Sequence, residues 1–90
     1  MSRRQLWRRV LDVEVTRWSA RSAEELIEEL HQLRNYEVEF EGRTYQVEVQ
    51  MLENTDGYVH VAVAVDDGML PAAIVPACDS FVRPKRHRSS

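Results

Sequence analysis

Ninety residues make one domain, whose modest core removes roughly 60–65% of the unfolded chain's surface from water. A hydrophobic fraction of 43% excludes full disorder, and one cysteine, Cys78, excludes an internal disulfide and fits a reducing compartment. The formal charge of −3 conceals a segregation: residues 1–21 and 81–90 sum to +8 and residues 22–80 to −11, which can steer a partner or drive contact between copies.

The chain opens on a basic arm at 1–9, helical or disordered, in which Arg3, Arg4, Arg8 and Arg9 surround Leu6 and Trp7. Charges separate the apolar pairs Leu6-Trp7 and Val10-Leu11, so no signal peptide is expected. No stretch approaches the roughly 20 apolar residues that cross a bilayer. The expectation is a cytoplasmic protein without membrane contact. Leu11, Val13 and Val15 then alternate with Asp12, Glu14 and Thr16, which predicts a strand over about 10–17. A competing helix over about 3–12 would put Leu6, Val10 and Val13 on one face.

Residues 22–34 carry the strongest helix signal. Ser22 and Glu25 have capping-box spacing, and Ala23, Leu26, Ile27, Leu30 and Leu33 form one apolar stripe. Glu24, Glu25, Glu28 and Glu29 fill the opposite face, and Asn35 suits the left-handed position beyond the helix end.

Three strands follow. Tyr36, Val38 and Phe40 alternate with Glu37, Glu39 and Glu41, and Tyr45, Val47, Val49 and Met51 alternate with Thr44, Gln46, Glu48 and Gln50. A two-residue turn at Glu41-Gly42 pairs Val38 with Tyr45 and Tyr36 with Val47. The third strand, about 57–65, holds Val59, Val61, Val63 and Val65 in phase. A loop centred on Thr55 predicts Val61 opposite Val49 and Val63 opposite Val47. Residues 69–78 read as a packed apolar loop broken by Pro71 and Pro76, residues 79–83 as a short edge strand, and residues 84–90 as a disordered basic tail. The domain proper thus covers 10–83. Its expected class is α+β, one amphipathic helix on an antiparallel sheet of about four strands in the order β-α-β-β-β.

Catalytic and metal-binding signatures are missing. The three glycines fit turns rather than a phosphate loop, no nucleophile elbow frames a serine, and no zinc-like spacing links Cys78 with His31, His60 or His87. The strand glutamates describe the wet side of a half-buried sheet better than a cation site. Cys78 reads as an inert buried thiol and His60 as a structural histidine bonded to Gln50. The expectation is a non-enzymatic protein without cofactor. An enzyme or ligand carrier would need a deep pocket holding His60 or Cys78.

Two surfaces remain. Tyr58, His60, Ala62 and Ala64 project from the outer sheet face, and the alanines and the tyrosine are too small or too apolar for a solvated face. Trp18 or the loop 69–78 covers that face from within, or it binds a second copy or another protein, in which case Trp18, Tyr58, His60, Ala62 and Ala64 form the interface. The second reading is an RNA- or ribosome-associated protein. Arg3, Arg4, Trp7, Arg8 and Arg9 would supply cations around a stacking ring, and Arg83, Lys85, Arg86 and Arg88 would follow a phosphate backbone. The acidic middle of the chain opposes that reading.

Overall fold

The computed structural model describes residues 3–66 and 77–85. Two helices, α1 (Arg3–Ser19) and α2 (Ala23–Glu29), precede four strands, β1 (Arg34–Phe40), β2 (Arg43–Asn54), β3 (Tyr58–Asp66) and β4 (Ala77–Pro84). The strands form one antiparallel sheet in the order β1-β2-β3-β4. The helices share one apolar core with a single, inner face of that sheet. The α+β class and the four-stranded antiparallel sheet are as expected, but two helices replace one and the chain does not begin its fold with a strand.

The strand expected over 10–17 is helical, and α1 runs continuously through it and through most of the basic arm. Burial explains the difference. Trp7, Val10, Leu11, Glu14 and Trp18 are buried and recur at three and four residues, the spacing of one helix face. The alternation of Leu11 and Val13 is incidental, since Leu11 is 0% exposed and Val13 49%. The carboxylate of Glu14 in the apolar stripe hid the helical period. No glycine or proline interrupts residues 3–19.

α2 has the expected capping box. The Glu25 amide donates to Ser22 Oγ at 3.1 Å, and the Ser22 amide donates to Glu25 Oε1 at 3.0 Å. These bonds hold the Glu25 carboxyl below its usual pKa, chiefly through the backbone donor. The helix is shorter than its stripe implied. Arg34 and Asn35 belong to β1, where they face Val49 and Glu48, so Asn35 takes no left-handed cap.

The β1–β2 register is as expected, with Tyr36 opposite Val47 and Val38 opposite Tyr45. Glu41 and Gly42 both have positive φ, 50° and 78°, as a two-residue turn that matches strand twist requires. The β2–β3 register is displaced by two residues from the expected one: Val63 faces Val49, Val65 faces Val47 and Val61 faces Met51. The Thr55 amide donates to Tyr58 O at 2.9 Å, so the loop is Asp56-Gly57, an even count that by itself would invert the phase of β3. A bulge at Leu52, between Met51 and Glu53, inserts one residue into β2 and restores it. Tyr45, Val47, Val49, Val59, Val61, Val63 and Val65 are therefore all buried beneath the helices. Each such side chain contributes roughly 1.5–3 kcal/mol.

β4 begins at Ala77 and is a full member of the sheet, so the expected short edge strand is longer at both ends. α1 lies along it. Arg8 reaches Asp79 at 3.8 Å, and Arg83 Nε donates to Arg21 O at 3.0 Å. Charged side chains beneath an edge strand, tied to a helix, disfavour uncontrolled strand addition. The loop over 69–76 and the tail over 86–90 lie outside the described residues.

Candidate functional site

Strand alternation builds the outer face. On β3 it carries Tyr58, His60, Ala62 and Ala64. Their β4 neighbours are Pro84, Val82, Ser80 and Cys78. On the β2 side Ala64 faces Glu48, Ala62 faces Gln50 and His60 faces Glu53. The four β3 residues are half-buried by their own neighbours, and no described element packs over them. Val82 is 53% exposed.

The bulge that sets the core register also shapes this face. By absorbing Leu52, it turns Glu53 outward beside β3. Glu53 Oε1 lies 3.4 Å from His60 Nδ1, and Glu53 Oε2 accepts from the Tyr58 hydroxyl at 3.4 Å. His60 is thus paired with Glu53 and not with Gln50.

The face has one sign of charge. Glu37, Glu39, Glu48, Glu53 and Asp66 occupy outer positions, and no lysine or arginine does among the described residues. Glu37 accepts from Gln46 Nε2 at 2.7 Å. Nowhere among the described residues do three histidine, cysteine or carboxylate side chains converge as a metal site would require.

Two expectations for this surface need correction. Trp18 does not cover it, because Trp18 is 3% exposed in the core on the opposite side of the sheet. Its Nε1 donates to the Tyr36 hydroxyl at 2.7 Å, and that hydroxyl donates to Glu14 Oε1. Cys78 is not a buried thiol either, since it is exposed on β4 opposite Ala64.

The relay through Tyr36 is the polar feature that sequence reasoning missed. Glu14 is 2% exposed, with Arg17 Nη1 3.8 Å from its Oε2. The Arg21 guanidinium stacks 4.5 Å from the centre of the Trp18 ring and pairs with Glu29. Burial, then the Glu14 hydrogen bond, pushes the Tyr36 hydroxyl up to about 12. The cluster joins α1, α2 and β1.

The basic residues of the second reading fall only partly among the described residues. Trp7 is 5% exposed in the core, so it offers no ring for stacking on a base. Arg8 is engaged by Asp12 at 3.6 Å and by Asp79. Arg9 lies on the exposed side of α1, and Arg3 and Arg4 begin that helix. Arg83 is held by Arg21 O, and the Lys85 amide donates to Gly57 O at 2.9 Å. Arg86 and Arg88 lie outside the described residues. Arg8 sits by Asp79 and Arg21 by Arg83, so the described contacts of the two basic segments fall four residues, about 13 Å, apart along β4.

An open groove of about 330 Å³ lies between α2 and β2, lined by Ile27, Leu30, His31, Met51, Leu52, Glu53 and Asn54. It includes neither His60 nor Cys78. No described helix is long and apolar enough to cross a membrane. Comparison with protein families, curated proteins and solved structures finds no match to this chain.

Proposed function

We propose that this protein is a small non-enzymatic interaction module that binds protein through the outer face of β3 and β4. The observation that carries this reading is the placement of Tyr58, Ala62, Ala64 and Val82 on the side of the sheet away from both helices. Small side chains permit close approach of another backbone. A tyrosine beside them supplies area at low entropic cost, and tyrosine is enriched at protein interfaces. His60 on this face lies beside Glu53 and opposite Val82, while the Ser80 hydroxyl and the Cys78 thiol stand opposite Ala62 and Ala64, so no nucleophile directly faces a base among the described residues.

Ala62→Glu tests the proposal. Ala62 lies mid-face between Gln50 and Ser80, where a carboxylate would be solvated in the free protein and desolvated in a complex. Sedimentation velocity is expected to show wild-type chain associating with itself and the variant as a folded monomer. Equal masses for the two proteins would contradict it. The nucleic-acid reading has lost its stacking residue, because Trp7 is in the core.

A further inference from the structure

We propose that the occupant of the outer sheet face is the exposed side of α1 from a second copy of this chain, in a front-to-back contact. The inference rests on the reading of that face as a protein interface and names its partner.

The two surfaces are complementary in charge and lie on opposite sides of the molecule. The outer sheet face has carboxylates and no lysine or arginine among its described positions. α1 packs against the inner side and contains five arginines against Asp12 and the buried Glu14. A two-fold contact of sheet face on sheet face would bring like charges together and is disfavoured for that reason. Contact of one copy's sheet with another's helix brings opposite charges together.

The spacing also fits. Arg9, Val13 and Arg17 follow one another at four-residue intervals along the exposed part of α1. Eight residues of helix separate the two arginines by about 12 Å. On the sheet, Glu48 faces Ala64 and Glu53 faces His60, four residues apart along β3, which is about 13 Å. An arginine can therefore approach each glutamate while Val13, 49% exposed, lies over the small patch at Ala62. Arg9 and Arg17 each have a partner within their own chain, Arg17 Nη1 lying 3.8 Å from Glu14 Oε2, and the five N–H donors of a guanidinium leave room for a second acceptor.

Such a contact is heterologous, since the surface used on one copy differs from that used on the next. It leaves a free helix at one end and a free sheet face at the other. Assembly then does not stop at two unless a ring closes.

Charge exchange tests this directly. Glu48→Arg with Glu53→Arg reverses the sheet face. Arg9→Glu with Thr16→Glu reverses the helix and leaves Arg17 on Glu14; both positions are exposed. Sedimentation at low salt measures each variant alone and in equimolar mixture, with melting curves establishing that each folds. Each alone is expected to be monomeric, and the mixture to associate at least about tenfold more tightly, because the reversed sheet meets the reversed helix and the unchanged helix of one variant meets the unchanged sheet of the other. Should a double variant not fold, Glu48→Gln and Arg9→Gln replace it, and each is expected to weaken wild-type association. A mixture that stays monomeric, or a wild-type mass that stops at two and ignores Arg9, overturns the proposal. If association is lost with Ala62→Glu yet indifferent to the helix variants, the helix is not the occupant although the sheet face is in use. Indifference to Ala62→Glu as well would remove the sheet-face reading itself.

Discussion

Glu14 and Tyr36 show how one hydroxyl can fix the docking of a helix. A buried carboxylate is costly unless hydrogen-bonded, and the Tyr36 hydroxyl both donates to Glu14 and accepts from the Trp18 indole. Tyr36→Phe removes that atom and leaves a buried acceptor and a buried donor unsatisfied. The expected loss is about 1–3 kcal/mol in urea unfolding at neutral pH, more than a half-buried phenol-to-phenyl change would cost elsewhere. The same hydroxyl gives an alkaline signature. Its pKa rises from 10.0 to about 12 on folding, so the neutral form is favoured in the folded state. That contribution is whole below pH 10 and is lost as pH climbs through about 12. Stability curves of wild type and Tyr36→Phe are expected to converge over that window. Parallel curves would place the relay outside the energetics of the fold.

At the scale of elements, Leu52 is the residue on which the register turns. The Asp56-Gly57 loop has an even count, and only the extra residue in β2 keeps the valines of β3 in phase with those of β2. Deleting Leu52 is expected to abolish cooperative unfolding, because Val59, Val61, Val63 and Val65 would have to turn outward. Leu52→Ser is expected to change stability by less than about 0.5 kcal/mol, since that side chain is 49% exposed. A stable deletion variant with native near-ultraviolet dichroism would show that the bulge does not set the register. The strands, the Glu41-Gly42 turn and the Ser22–Glu25 cap were legible in the sequence because local chemistry alone dictates them. The bulge was not, because a register is a property of two strands and one turn together. The helical period of α1 is hidden for a related reason. Glu14 looks like a surface residue until Tyr36, twenty-two positions later, supplies its partner. The outer-face residues on β3 were legible through alternation, whereas Trp18 was displaced from them by the same error over α1.

The molecule as a whole is polar across its thickness. Arginines cluster on the helix that backs one side of the sheet, and carboxylates hold the other side. Charges at this separation act between molecules within a Debye length, about 8 Å at physiological salt, so the effect on association is expected to fade as salt rises. In the proposed contact, exposed Val13 on the helix and exposed Val82 on β4 would retain some attraction once the charges are screened. The central claim, that the outer sheet face is a protein interface used in self-contact, is tested most directly by the light-scattering mass of the wild-type chain. It is best followed over a concentration series at low salt and at about 0.5 M salt. The expected result is a mass that rises with concentration beyond two chains at low salt and falls towards one chain at high salt. A mass of one chain throughout would contradict the claim.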